Sequence, residues 1–217
     1  MINIAIDGPS GSGKSTVAKE LAKTLGIIYV DTGAMYRAVA FYNADPNDQA
    51  AVEASLPDIS IDIRYDEDSQ QRLILNGEDV TEELRSQEVG AASSVVASYP
   101  AVRQKLMEFQ REIASKNSVI MDGRDIGTHI LPNAQVKIYL DASPDERAVR
   151  RINELKQKGE AAEFETVKEA LKIRDNRDMN RDIAPLVKAD DAVYIKSDGL
   201  SVEDIMQMII KEVEGIK

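Results

Sequence analysis

Short apolar runs alternate along this chain with stretches of helical period. Ile2–Asp7 is a β-prone run ending in a Gly-rich loop, and Lys14–Leu25 then carries apolar positions at helical spacing, with Gly26 as its C-terminal stop. Ile27–Val30 reads as a second strand and Thr32–Asn43 as a second helix. The order strand, loop, helix, strand, helix predicts an α/β fold, a three-layer parallel sheet flanked by helices.

The middle of the chain breaks this rhythm. Ile59–Arg64 alternates apolar with polar, Arg72–Leu75 answers it across an acidic turn, and Asn76-Gly77 is a tight-turn dipeptide leading to Val80. A small antiparallel β insert of two or three strands is expected there. Helices follow at Glu82–Ala97 and Pro100–Lys116. The parallel pattern resumes with Val119–Met121, which runs into Asp122-Gly123, and with Val136–Leu140. Ser143-Pro144-Asp145-Glu146 is a capping box with Pro at the first helical position, opening a helix to about Lys158 that stops at Gly159. A helix over Thr166–Asn180, a strand at Ala192–Ile195 and a closing helix over Val202–Val213 complete the pattern. The 217 residues hold no repeat or long linker and suit a single α/β domain.

Composition narrows the function. A net charge of −11 disfavours a general nucleic-acid binder, which needs excess Lys and Arg to displace counterions. Arginines concentrate locally in Arg147–Arg151 and Arg174–Arg181, as a small anionic ligand in a cleft would require. Apolar runs are too short to span a membrane, the N-terminus lacks the basic lead of an export signal, and Cys is absent, which fits a reducing cytoplasm.

Gly8-Pro9-Ser10-Gly11-Ser12-Gly13-Lys14-Ser15, followed by Thr16, matches G-x-x-x-x-G-K-[ST] between a predicted strand and helix. In such a loop backbone N–H groups converge on phosphate oxygens and the helix N-terminus adds a favourable dipole. Lys14 would reach the β- and γ-phosphates of ATP, and the Ser15 hydroxyl would ligate Mg²⁺. The bland alternative is a flexible Gly/Ser turn. Asp122, ending an apolar strand, fits the acidic partner of the metal ion, acting through water; it would equally serve as a capped strand end. Arg174, Arg177, Asp178 and Arg181 stand at i, i+3, i+4 and i+7, and are expected on one helical face, with Arg147, Arg150 and Arg151 on the preceding helix. Such a stripe would neutralise charge on a transferring phosphoryl group, or it is a solvated face laced with ion pairs. No general base stands out, and His129, beside Ile130 and Leu131, reads as structural. An acceptor that is itself a phosphate needs no base, because its oxygen is already anionic.

DGPSGSGKS at Asp7–Ser15, DTGAMYR at Asp31–Arg37, DGRDIGT at Asp122–Thr128, VKIYLDAS at Val136–Ser143 and RDNRDMNR at Arg174–Arg181 together resemble the bacterial cytidylate kinases. Asn76–Val80, Arg85, Gln87–Val89, Glu146–Arg151 and Ala184-Pro185-Leu186 extend the resemblance over nearly the whole chain. It implies a P-loop nucleoside monophosphate kinase fold, a CMP-binding insert at about 59–97 and a helical lid at about 151–165. By the same resemblance Ser10, Thr32, Arg37 and Arg124 surround the CMP phosphate, Ser94, Arg103 and Asp125 face cytosine, and Arg174, Asp178 and Arg181 reach ribose and phosphates. Lys14, Asp122, Arg151, Arg174, Arg177 and Arg181 become the catalytic set. A carboxylate at Asp125 would accept from the cytosine N4 amino group and repel the uracil carbonyl; the plainer role is a loop ion pair with Arg124. The expected partners are ATP and CMP or dCMP, with no nucleic acid and no membrane, in a monomer. A kinase for another small acceptor, such as UMP or shikimate, is the competing enzyme. A nucleotide-dependent switch is the competing class, although no Asn-Lys-x-Asp string occurs.

Overall fold

A computed structural model describes residues 1–68, 70–157 and 159–216. Strand β1 (Asn3–Asp7) leads through the Gly-rich loop into helix α1 (Lys14–Leu25), and strand β2 (Ile28–Asp31) into helix α2 (Thr32–Tyr42). Asp31 ends β2 and caps α2, accepting a hydrogen bond from Ala34 N at 3.0 Å. Helix α3 (Gln49–Ser55), not foreseen from the sequence, starts where the Asp48 side chain accepts from Ala51 N. Strands β3 (Ile61–Tyr65), β4 (Gln71–Leu75) and β5 (Glu78–Asp79) form the antiparallel insert, with Ile61 opposite Leu75 and Tyr65 opposite Gln71. Its β4–β5 turn places Asn76 at φ 50° and Gly77 at φ 91°, the left-handed pair that Asn-Gly favours.

The helix expected over Glu82–Ala97 is divided. A 3₁₀ turn at Glu83–Arg85 stops at Ser86, whose extended backbone and side-chain oxygen start helix α4 (Gln87–Val96) by accepting from Val89 N. Helix α5 (Pro100–Lys116) and strand β6 (Val119–Gly123) follow. A π-helical turn at Ile126–Ile130 then precedes strand β7 (Val136–Asp141). Helix α6 (Pro144–Gln157) begins with Ser143 Oγ accepting from Glu146 N at 3.3 Å; its expected end at Lys158 lies outside the described residues. Helix α7 (Phe164–Asn180), strand β8 (Val193–Lys196) and helix α8 (Val202–Glu214) complete the chain.

The main sheet runs β2-β6-β1-β7-β8, and every pairing is parallel. Alternation sorts its side chains between two cores: Val119 and Met121 of β6 face the side packed by α2, α4 and α5, while Ile120 joins Ile4, Ile6 and Leu140 beneath α1 and α8. Helices α6 and α7 form a hairpin with its own small core of Ala148, Leu155, Val167 and Leu171. The insert is strapped to the sheet by side chains. Tyr65 Oη donates to Tyr29 O at 2.8 Å, and Gln71 Oε1 accepts from Asp31 N at 2.8 Å. The C-terminal ends of β2, β6 and β1 therefore meet beside the insert, the position at which open parallel sheets hold ligands.

Candidate active site

β1 ends at Asp7, and the backbone turns at Gly8 with φ 148°. A Cβ at Gly8 would lie 2.0 Å from Leu140 O, so the loop passes β7 too closely for any side chain. Ser10, Gly11, Lys14 and Ser15 line a cleft, with Gly8, Pro9, Ser12 and Gly13 behind them and Thr16 exposed in the first turn of α1. Lys14 is buried, and its Nζ donates to Pro9 O at 2.6 Å and to Ser12 Oγ at 3.3 Å. Burial, then the nearby Arg124 charge, pushes Lys14 down to about 7, with Asp122 and Asp7 opposing.

Asp122, in the strand next to β1, accepts from Ser15 Oγ at 2.7 Å and from Tyr29 Oη at 2.9 Å. Burial, then the neighbouring Asp31, raises its pKa. Thr32 Oγ1 donates to Asp122 O at 2.7 Å, and Arg37 Nη2 donates to Asp31 Oδ2 at 2.7 Å. Lys14, Ser15, Asp122, Thr32 and Arg37 thus gather at one end of the cleft.

The far end collects the rest of the expected acceptor set. Arg124 Nε donates to Asp178 Oδ2 at 2.9 Å, so Arg124 pairs with Asp178 rather than with its neighbour Asp125. Asp125 instead accepts from Arg103 Nη2 through one oxygen and from Arg181 Nη2 through the other, at 2.9 Å. Arg103 also donates to Ala97 O, and Arg181 to Ala184 O, so both guanidinium groups are held from behind. Ser94 lines the same end, and its buried Oγ has no hydrogen-bond partner among the described residues. Between the ends, Arg174 Nη1 lies 3.4 Å from Ser10 Oγ, while its buried Nε has no partner among the described residues. Burial, then Arg124, lowers Arg174 to about 10.

The arginine stripe needs correction. On α7 the inward face runs through Val167, Leu171, Arg174, Asp175 and Asp178, leaving Arg177 exposed. That face is centred between Arg174 and Asp175, and at ~100° per residue Arg177 falls roughly 110° from its centre. Arg181 reaches the cleft from the extended residue after the helix. Arg151 pairs with Glu154 at 3.0 Å and does not line the cleft. Arg147 and Arg150, expected to face the phosphates, brace the P-loop from behind. Arg147 Nη1 donates to Ser10 O at 3.0 Å and to Asp175 Oδ2 at 2.5 Å, and Arg150 Nη1 donates to Ser12 O at 3.0 Å. Tyr36 and Asp31 also line the cleft, although spacing alone does not single them out; their place in the Asp31–Arg37 motif was the available signal.

A parallel sheet with this loop at its central strand, a carboxylate at the adjacent strand end and a cation-lined cleft define a P-loop kinase. The profile of the family described as Cytidylate kinase matches residues 4–215. The chain belongs to the cytidylate kinase family. It is 48% identical over 214 residues to a cytidylate kinase of Caldicellulosiruptor bescii, covering 97% of this chain and 94% of that one. Identity to a cytidylate kinase of Bacillus licheniformis is 45% over 215 residues, covering 97% and 95%. Among solved structures, an uncharacterized protein from Eubacterium ventriosum shares the fold with a TM-score of 0.55 at 16% identity, covering 99% of each chain.

Proposed function

We propose that this protein transfers the γ-phosphoryl group of ATP to CMP, and to dCMP, giving CDP or dCDP and ADP. The observation that carries the reading is electrostatic. Lys14, Arg124 and Arg174 line one cleft, where burial first and then the Arg124 charge disfavours the Lys14 and Arg174 cations, a cost that anionic phosphates offset. The P-loop end takes the donor triphosphate. Thr32, Arg37 and Arg124 take the acceptor phosphate, and Ser94, Arg103 and Asp125 the cytosine. Each Asp125 oxygen is engaged by one arginine and keeps a lone pair for the N4 amino group.

Because the acceptor oxygen is already anionic, the chain needs no general base. Its contribution is to align the two phosphates, to neutralise their charge with Lys14, Arg174 and Arg181, and to exclude water. Arg151 and Arg177 would join only when the α6–α7 hairpin, with the 151–165 segment as lid, moves over the donor. Mg²⁺ takes hard oxygen ligands, commonly a few from protein and the rest from phosphates and water. The adjacent Ser15 hydroxyl and Asp122 carboxylate fit that donor set. Bound there, Mg²⁺ would neutralise charge on the β- and γ-phosphates. No helix among the described residues is long and apolar enough to cross a membrane. The net charge of −11 supports binding of nucleotides rather than nucleic acid, and a cytoplasmic monomer is part of the same proposal.

ADP release measured across CMP, dCMP, UMP, AMP, GMP and dTMP tests the reading. CMP and dCMP should lead in kcat/KM; a tenfold or greater preference for another acceptor would overturn the substrate assignment.

A further inference from the structure

Asp7 ends β1 immediately before the P-loop, and only 4% of it is exposed. Both of its carboxylate oxygens are spent on backbone amides across the sheet. Oδ1 accepts from Ile126 N at 2.8 Å and Oδ2 from Gly127 N at 2.7 Å. A buried carboxylate without a hydrogen-bonded cation is costly. Burial raises Asp7 to about 6 even though the two amides and Lys14 pull the other way. A neutral Asn, Ser or Thr would cap a helical turn at lower cost. Such a local conflict with stability is expected where function requires it.

What the carboxylate grips explains the conflict. Ile126 and Gly127 open the π-helical turn, an element rare enough to mark functional positions. The same turn folds back on Asp125, whose carbonyl accepts from His129 N at 2.9 Å and Ile130 N at 3.1 Å. Asp125 therefore sits between a turn pinned by Asp7 and the Arg124 side chain that faces the cleft. Its own side chain joins Arg103 to Arg181. Gly127 is held close, since a Cβ there would lie 3.4 Å from Asp7 Oδ2 and 3.2 Å from the Lys137 side chain.

We propose that Asp7 is a positioning residue for the acceptor site, setting Arg124 and Asp125 relative to the P-loop although it does not itself line the cleft. Donor loop and acceptor-reading segment are then joined by one carboxylate. This rests on the reading of Asp125 as the contact for the acceptor base.

Asp7→Asn tests it, because the amide matches the carboxylate in shape but accepts at only one of the two positions. With one amide left unpaired, KM for CMP should rise about tenfold while KM for ATP stays within about twofold. The ratio of kcat/KM for CMP over UMP should fall, and the effect should be less than additive with that of Asp125→Asn. A merely structural Asp7 would change both KM values alike or leave the CMP-to-UMP ratio untouched, and either result overturns the proposal. Asp125→Asn alone separates the two failures. If it leaves base preference unchanged, the reading of Asp125 falls; if it shifts base preference while Asp7→Asn does not, the role of Asp7 falls. Should Asp7→Asn fail to fold, Gly127→Ala, which crowds the Asp7 carboxylate and the Lys137 side chain, takes its place. The same selective rise in KM for CMP is expected, and equal changes in the KM values for CMP and ATP would overturn the proposal.

Discussion

Lys14 is held in surroundings that cost its charge, buried and near Arg124 and Arg174, and an anionic triphosphate offsets that cost directly. Lys14→Met should therefore lower turnover by at least about 10²-fold with thermal unfolding little changed, since a charge that burial disfavours contributes little to folding. Normal turnover in that variant would remove the P-loop assignment. Asp7 makes a separate prediction about pH. Its folded pKa of about 6 exceeds the unfolded 3.8, so between these values the folded protein binds more protons. The stability this group contributes is complete below about 4 and is lost as pH rises through about 6, a change on the order of 3 kcal/mol. In Asp7→Asn that dependence should vanish, and denaturation of both proteins at pH values of about 4.5 and 7 would show it. Lys14, Ser15 and Asp122 could be recognised from sequence because each is local to a strand end or helix start. Arg147 and Arg150 could not: their partners, the carbonyls of Ser10 and Ser12, lie 137 and 138 residues away. Spacing along a helix reports which residues share a face, not what that face meets.

At the scale of elements, the same limit explains the divided helix at Ser86 and the placing of Arg177. The Glu82–Ala97 pattern is continuous in apolar period, but Ser86 supplies a cap in its midst, and a cap ends one turn as readily as it starts the next. The central strands β1, β6 and β7, by contrast, were readable to within a residue or two, because buried parallel strands write nearly uninterrupted apolar runs. The α6–α7 hairpin meets the P-loop through Arg147, which is 4% exposed and shared between Ser10 O, Ala142 O and Asp175. Arg147→Met should destabilise by about 3 kcal/mol, since it strands the buried Asp175 carboxylate. It should also raise KM for ATP more than KM for CMP; denaturant unfolding and steady-state kinetics measure both.

For the whole molecule, donor and acceptor ends share one rigid sheet, while the insert and the α6–α7 hairpin flank it. If the 151–165 segment closes as the proposed lid, ATP and CMP together should slow its amide exchange more than either nucleotide alone. Equal protection by ATP alone would separate closure from acceptor binding. The brace behind the P-loop has a consequence for the chain as it is made. Ser12 O accepts from Arg150 Nη1 and from Ser197 Oγ, residues 138 and 185 positions later. The P-loop is thus synthesised well before Arg150 and Ser197, and receives these two supports only once helix α6 and the residue after β8 have been made. Until then the growing polypeptide carries the signature of a kinase without a seated loop, and ATP meets a finished grip only after Ser197 has joined it.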